Sequence, residues 1–303
     1  MTDRPAGDLL SELMAVFELR AHVYATPSSC GLWRMEVPAS PLAEFHVVAS
    51  GTCYLHFGPG RAAPLLLQTG DILLLPRGQA HALSASRHPP GPGTQLFESG
   101  PGTVAKLVCG TFSLQGAHGN PLLASLADIV VVSQAAIGED VAALAALLGG
   151  EARLENRPAR QTVLDRLAEV LFIYVLRHEI NTGKVNGGLL AALADSRLRA
   201  LLKALCADPG ANWTLAGMAR TANLSRTALA THFQATVGVS PMQYLTQWRM
   251  QLAAQRLLGG TRSVAAVANE LGYSSEAAFR RAFKRTVGKG PVVARRKSRI
   301  GPG

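Results

Sequence analysis

Four of the cysteines and histidines in the first 110 residues together make a candidate site for a soft metal ion: Cys30, His46, His81 and Cys109. Two thiolates and two imidazoles are a ligand set that suits tetrahedral zinc. One hypothesis is therefore a zinc ion held by these four residues, which oxidation of the thiolates would release. The alternative is that the four residues are buried in a packed core, where cysteine and histidine often lie without binding a metal. No other cofactor is predicted.

An iron site of the kind found in enzymes is not predicted. His81 closes the spacing Gly-x5-Pro-x4-His that begins at Gly70, and this spacing resembles the second motif of the cupins, which are small double-sheet barrels. Enzymatic cupins place two histidines and a glutamate in a first motif, which completes an open facial metal site. Here His46 stands without a His-x-His pair, and His56, ten residues further on, cannot replace the missing ligand. We therefore predict that the protein is not an enzyme.

The charge of the chain is concentrated at its C-terminal end. Residues 196–303 hold 17 lysines and arginines against three acidic residues, a net charge of +14, whereas residues 1–195 have a net charge of −4. Such a division predicts a polyanionic partner for the C-terminal part alone. Nucleic acid is the partner that we favour over an anionic membrane surface or a face that is merely solvated.

Membrane-spanning and disulfide-rich secreted proteins are excluded as classes. Apolar runs such as Val141–Leu148 are much shorter than the roughly 18 residues of a membrane span. Residues 1–20 contain four acidic side chains and lack the pattern of a secretory signal. The four cysteines form no Cys-x-x-Cys pair. We expect a cytoplasmic protein.

An internal repeat in the C-terminal third predicts two helix-turn-helix units. An offset of 50 residues places Val237-Gly238 on Val287-Gly288 and Phe233 on Phe283. Upstream of the turn the offset is 49, so the second copy has one more residue in its turn. Each copy reads as a short apolar helix, a tight turn that ends on a serine N-cap, and a second helix with apolar residues at positions i, i+4 and i+8.

The second helix of each copy is the predicted recognition helix. Its apolar residues fix one face to the scaffold, which turns the opposite face outward. Two such helices joined by a rigid connector, here Gln243–Leu258, can enter successive major grooves about 34 Å apart. The alternative is a plain helical bundle with a basic face. The predicted DNA-facing residues are Arg226, Thr227, Ala230, Thr231 and Gln234 in the first copy and Glu276, Ala277, Arg280, Arg281, Lys284 and Arg285 in the second.

The residues of this region resemble the AraC/XylS-type transcriptional regulators. The resemblance rests on VGVSPMQYLTQWRM at residues 237–250 and SVAAVANELGYSSEAAFRRAFKR at residues 263–285, and it covers about residues 196–296. It implies a DNA-binding domain of seven helices with two helix-turn-helix units. The chain departs from the family at Thr231, where arginine is frequent, and at Gly290 and Ala294, where serine and an aromatic residue are usual.

The N-terminal part resembles the cupin-bearing branch of these regulators that includes activators which sense reactive chlorine. The resemblance rests on LVCGTFSL at residues 107–114, NPLLASL at residues 120–126, and Cys30 just before Gly31-Leu-Trp33. It implies that Cys30 and Cys109 sense an oxidant. Hypochlorous acid converts a thiolate to a sulfenyl species that a neighbouring thiol captures as a disulfide. A disulfide needs Cα atoms within about 7 Å, and the sequence leaves open whether these two residues adjoin.

The predicted fold is α+β and multidomain. Short apolar runs between Gly and Pro clusters predict a cupin-like β-barrel or sandwich, the sensory domain, at residues 1–136. A helical dimerisation segment and linker follow at residues 137–188, and an all-α DNA-binding domain at residues 189–303. We predict a homodimeric activator that binds promoter DNA and contacts RNA polymerase, with an oxidant acting on the two cysteines. The alternatives are a regulator with an inert barrel that responds to a small molecule, and a metal-dependent cupin enzyme with a DNA-binding tail.

Overall fold

The computed structural model describes residues 8–58, 63–88, 104–114, 120–136, 138–154, 156–185, 187–258 and 262–291. The chain divides into two compact units. One unit, here called the barrel unit, comprises Leu19–Ser113 and Leu126–Thr182. The other, called the helical unit, comprises Met1–Glu18, Leu114–Ser125 and Gly183–Gly303.

The barrel unit contains two antiparallel sheets, as the predicted fold class requires. The larger sheet has the strand order β1-β9-β4-β7-β10, with β2 also paired to β9, and the smaller sheet has the order β3-β8-β5-β6. Apolar side chains from both sheets form one core, which includes Trp33, Cys53 and Cys109. The strands are β1 Arg20–Ala25, β2 Ser28–Ser29, β3 Arg34–Val37, β4 Ala43–Ser50, β5 Thr52–His56, β6 Leu65–Gln68, β7 Ile72–Leu75, β8 His81–Ser84, β9 Ala105–Ser113 and β10 Val130–Val132.

The helices lie in both units. Two helices, α3 and α4, belong to the barrel unit, and the others belong to the helical unit. None of the described helices combines the length and apolarity that crossing a bilayer requires. The helices are α1 Leu9–Phe17, α2 Pro121–Ala124, α3 Glu139–Ala152, α4 Arg160–Thr182, α5 Gly188–Ala194, α6 Ser196–Ala207, α7 Leu215–Thr221, α8 Arg226–Val237, α9 Pro241–Leu258, α10 Val264–Glu270 and α11 Glu276–Val287.

Helix α4 packs beside β1 and covers a strand edge that would otherwise be open. The Asp165 carboxylate accepts a hydrogen bond from the Val23 amide at 2.9 Å, and the Gln161 amide donates to the Val23 carbonyl at 2.8 Å. Side chains therefore take the place of a further strand, which protects the edge from pairing with another chain. Below them, Phe172 of α4 lies 4.7 Å from Phe112 of β9, measured between ring centroids.

The repeat inferred from the sequence is present as two helix-turn-helix units, α7–α8 and α10–α11. Four residues separate α7 from α8 and five separate α10 from α11, which confirms the extra residue in the second turn. Asn223 and Gly272, which the offset of 49 superimposes, both have left-handed backbone, with φ of 51° and 75°. Asparagine and glycine are the residues that adopt this conformation at least cost.

The boundaries of the units do not coincide with the predicted segments 1–136, 137–188 and 189–303. Helix α1 was expected in the sensory segment, but it groups with the C-terminal helices. The Phe17 ring of α1 meets Trp248 of α9 edge-on at 6.1 Å, and Gln255 donates a hydrogen bond to the Ala15 carbonyl. A short amphipathic helix must bury its apolar face, and the sequence does not reveal which surface receives it.

The backbone of the second turn, at Gly272, packs closely against the Gly210 carbonyl. A Cβ at Gly272 would lie 2.3 Å from the Gly210 carbonyl oxygen, whereas a Cβ at Gly288, also left-handed with φ of 79°, would meet nothing within 4 Å. We therefore expect Gly272→Ala to lower the free energy of unfolding by about 2 kcal/mol or more. Gly288→Ala, the matched control, should cost about 1 kcal/mol, for the backbone conformation alone. Equal losses in urea unfolding would contradict the importance of the Gly210 contact.

Candidate nucleic-acid interface

The apolar faces of the two recognition helices, α8 and α11, are fully buried. Leu229 and Phe233 of α8 and Phe279 and Phe283 of α11 are all inaccessible to solvent. The Phe233 ring packs edge-on against Tyr244 of α9 at 5.6 Å. Because each helix is fixed along this line, its opposite face points outward, as the spacing predicted.

All eleven residues predicted to face DNA lie on the outward faces of these helices. Ala230 and Glu276 are partly exposed, and the others are exposed. The exposed ones are Arg226, Thr227, Thr231, Gln234, Ala277, Arg280, Arg281, Lys284 and Arg285.

Some of these polar side chains are already engaged. The Arg280 guanidinium donates to Glu276 Oε1 at 2.7 Å through Nε and contacts the same oxygen through Nη2. The Gln234 amide donates to the Gly238 carbonyl at 2.7 Å and thereby caps the end of α8. In contrast, Arg281 and Lys284 form no ion pair with any acidic residue in the described part of the chain. These two cations, like Arg226 and Arg285, are therefore available to a nucleic acid.

The side chain of Asp195 links α8 to α6. The Asp195 carboxylate accepts hydrogen bonds from the amides of Arg197 and Leu198, which caps α6, and it also contacts His232 Nε2 at 2.7 Å. Partial burial raises the pKa of Asp195, but these three hydrogen bonds outweigh it and hold the pKa below the ordinary value of 3.8. The carboxylate is thus charged at neutral pH. It connects the N-terminus of α6 to α8, the first recognition helix.

Arg249 positions the second helix-turn-helix unit, α10–α11. Its guanidinium donates to the carbonyls of Pro209 and Ala211 at 2.7 and 2.9 Å, and it lies 5.8 Å from the centre of the Tyr273 ring. One side chain of α9 therefore holds the loop after α6 and the turn of α10–α11 together. Sequence reasoning missed both Arg249 and Asp195, because each acts on residues that are distant in the chain.

The two histidines of the hypothetical zinc site are hydrogen-bonded to each other inside the barrel. His46 Nε2 lies 2.8 Å from His81 Nε2, and His81 Nδ1 lies 2.8 Å from the Gln79 carbonyl oxygen. Burial lowers the pKa of both imidazoles, so both rings are neutral. Since a carbonyl only accepts, His81 Nδ1 carries the hydrogen and His81 Nε2 accepts from His46. This leaves His46 Nδ1 without a partner among the described residues.

The structure does not bring the four proposed ligands together. Cys109 is paired with His46 across β4 and β9, whereas Ser29, the neighbour of Cys30, is paired with Ala105. Ala105 and Cys109 are four steps of about 3.3 Å apart along β9, a distance well beyond the 7 Å that a disulfide allows. Among the described residues, no group of three or more metal-ligating side chains is assembled. The geometry therefore supports neither the four-ligand zinc set nor a preformed Cys30–Cys109 pair.

The thiols of the barrel differ in their access to solvent. Cys53 and Cys109 are completely buried, and Cys30 is partly exposed. Burial raises the pKa of Cys53 to about 12 and raises that of Cys109 well above its ordinary range, with a smaller contribution from Cys53. A protonated thiol is a poor nucleophile, so burial and the raised pKa both disfavour reaction at these two cysteines.

A buried carboxyl group near Cys109 was not predicted. Glu44 is 4% exposed and accepts a hydrogen bond from the Tyr24 hydroxyl at 3.1 Å. Burial raises the pKa of Glu44, against the effect of hydrogen bonds from Tyr24 and Ser40. No spacing in the sequence signals this contact, because Tyr24 and Glu44 meet through the packing of two strands.

Comparison with known proteins accounts for both units. The family described as Cupin matches residues 8–181, and the family described as Helix-turn-helix domain matches residues 218–297. A putative AraC-like transcription regulator of Streptomyces lividans is 34% identical over 295 residues, which cover 94% of this chain and 96% of that protein. The chain belongs to the AraC-like transcriptional regulators.

Two further relatives of this family match nearly the whole chain. The regulator AlkR of Acinetobacter baylyi is 29% identical and covers 96% of this chain and 100% of its own length. The RCS-specific activator RclR of Escherichia coli is 27% identical and covers 88% of this chain and 89% of its own length. The predicted AraC-type regulator with an N-terminal cupin domain is thus confirmed. Ala294, one of the departures from the family pattern, lies outside the described residues.

Proposed function

We propose that this AraC-like regulator recognises a specific duplex DNA sequence through the outward faces of α8 and α11. The observation that carries the proposal is the tandem arrangement itself, in which two recognition helices are fixed by buried phenylalanines and present polar and basic residues outward. One such helix fits a major groove, and two on a common scaffold suit successive grooves.

The second recognition helix supplies most of the base reading in this proposal. Arg281 is exposed and without an acidic partner among the described residues, and an arginine of this kind can bind a guanine through two hydrogen bonds. The repeat places Thr231 at the corresponding position of α8. The α8 side chain Gln234 is occupied by the Gly238 carbonyl. We therefore assign to α8 a mainly positioning role on the phosphate backbone.

A homodimer formed through α4 is the second part of the proposal. Val163 and Val170 are 38% and 42% exposed, and Leu167 and Tyr174 are partly exposed. Their spacing of four, three and four residues is that of a coiled-coil seam. An apolar seam of this kind on a surface helix favours pairing with the same seam of a second copy. A dimer would present two DNA-binding units to one promoter and to RNA polymerase, which suits an activator.

An oxidant is the signal that we propose for the barrel, with Cys30 as the residue that reacts first. The partly exposed Cys30 is accessible, whereas Cys109 is buried. Hypochlorous acid would transfer chlorine to the Cys30 sulfur with loss of water, and a second thiol would displace chloride to form a disulfide. If Cys109 is that second thiol, β9 must first shift relative to β2. A small molecule bound in the barrel is the alternative signal.

Base reading by Arg281 is tested with a duplex enriched from a random DNA library. We expect Arg281→Ala to weaken binding to the enriched duplex by about 1–3 kcal/mol and to relax the preference at one base pair. Lys284→Ala is the matched control and should weaken binding to enriched and scrambled duplexes equally. If Arg281→Ala also affects both duplexes equally, Arg281 contacts phosphate. If no sequence is enriched, and binding to any DNA simply falls with salt, the protein is a non-specific binder.

The dimer is tested by Val170→Glu and analytical ultracentrifugation. A charge in the apolar seam should raise the dissociation constant of the dimer at least about tenfold, because each carboxylate would be buried without a partner. Leu66→Glu is the matched control, since Leu66 is equally exposed at 41% but lies on β6. A dimer that Val170→Glu leaves unchanged would rule out the α4 seam.

The order of thiol oxidation is measured by treating the folded protein with about one equivalent of hypochlorous acid and mapping its peptides without reduction. We expect Cys30 to be modified at least about ten times faster than Cys109, since Cys30 is partly exposed, whereas burial shields Cys109 and raises its pKa. Cys206, which is partly exposed but has a pKa raised to about 12 by burial, serves as the internal comparison. Comparable rates for Cys30 and Cys109, or an unmodified Cys30, would contradict the proposed order.

A further inference from the structure

The helical unit contains a cavity of about 440 Å³ beside the connector helix α9. Three aromatic side chains line it, Phe17 of α1 and Tyr244 and Trp248 of α9. Val237, the last residue of α8, and Thr286, next to the last residue of α11, also line it. The volume and the predominantly apolar walls are typical of sites for small organic molecules.

Two residues that line this cavity each carry a buried polar group without a partner among the described residues. The Trp248 indole nitrogen and the Tyr244 hydroxyl are inaccessible to solvent and form no hydrogen bond with any described residue. Most buried polar groups in folded proteins are hydrogen-bonded, and an unpaired one is costly. Since the indole N–H can only donate, a molecule that completes this site must offer an acceptor.

The lack of charged side chains among the described lining residues restricts the charge of such a molecule. Among the described lining residues there is no lysine, arginine, histidine, aspartate or glutamate. Ser125 is already engaged, because its hydroxyl donates to the Pro121 carbonyl at 2.6 Å and accepts from the Leu190 amide at 3.3 Å. A carboxylate would therefore lose its hydration without gaining a cation, which is unfavourable. A neutral acceptor such as a carbonyl avoids this cost.

We propose that this cavity is a binding site for a neutral, mainly apolar small molecule that carries one hydrogen-bond acceptor, of the ketone or ester class. Its apolar part packs on Phe17 and the other apolar walls, and its acceptor takes the hydrogen of the Trp248 indole after a rotation of that ring brings the buried nitrogen to the cavity surface. Because the cavity touches the C-terminal ends of both recognition helices, its occupant contacts both helix-turn-helix units at once. This site is separate from the barrel, where the oxidant proposal is placed.

The site is tested by titration calorimetry on the full-length protein with three probes of similar shape. Hexanophenone has a neutral carbonyl, hexylbenzene has no acceptor, and 4-pentylbenzoate has a charged one. We expect hexanophenone to bind at least about tenfold more tightly than either of the other two. No heat from hexanophenone up to its solubility limit would overturn the proposal. Equal affinity for hexylbenzene, or tighter binding of the benzoate, would overturn the proposed ligand class.

Variants locate the binding of hexanophenone. Val239→Phe places a ring in the cavity and should weaken binding more than about tenfold, whereas Met242→Phe, on an exposed position of α9 that does not line the cavity, should leave it unchanged. Trp248→Phe removes the indole donor and should reduce the preference for hexanophenone over hexylbenzene to less than about threefold. An affinity that Val239→Phe does not change, in protein that unfolds at the normal temperature, would place the molecule elsewhere. These measurements use no DNA, so they stand apart from the test of DNA recognition.

Discussion

The burial of four side chains against α9 and its neighbours is the constraint on which the DNA-binding surface depends. Leu229, Phe233, Phe279 and Phe283 have no solvent exposure. Each helix is amphipathic, so fixing the apolar line determines which residues face outward. The basic residues of α11 are thus oriented by packing and not by their own contacts. Any change that loosens these phenylalanines would disorient every predicted DNA contact at once.

Desolvation determines the protonation of the ionisable side chains inside the barrel. Burial keeps the His46 and His81 rings neutral, raises the pKa of the Cys109 thiol and favours the protonated form of Glu44. The thiols of a core in this state are mostly protonated and are therefore poor nucleophiles until water enters. A chemical signal must therefore act first at an accessible group or open the sheets. The proposed oxidation is therefore placed first at Cys30, which is partly exposed, and not at the buried Cys109.

The sequence was most informative where a pattern repeats and least informative where two distant segments meet. The offset between Phe233 and Phe283 predicted both recognition helices, and short apolar runs between Gly and Pro clusters predicted the barrel. The distance between Cys30 and Cys109 was not predictable, because it follows from the pairing of Ser29 with Ala105 and a register shift between Val23 and Ala25. The burial of α1 on α9 was hidden for the same reason, since periodicity marks an apolar face but not its partner.

Helix α9 contacts both helix-turn-helix units, so a displacement of α9 changes the position of both. Tyr244 packs on Phe233 of the first recognition helix and also lines the cavity. One and a half turns further on, Arg249 holds the loop after α6 and stacks near Tyr273 in the second turn. A rigid helix cannot absorb a shift at one of these contacts without passing it to the other. The spacing of the two recognition helices is therefore set by one helix, and a molecule beside Trp248 acts on the part of the protein that determines it.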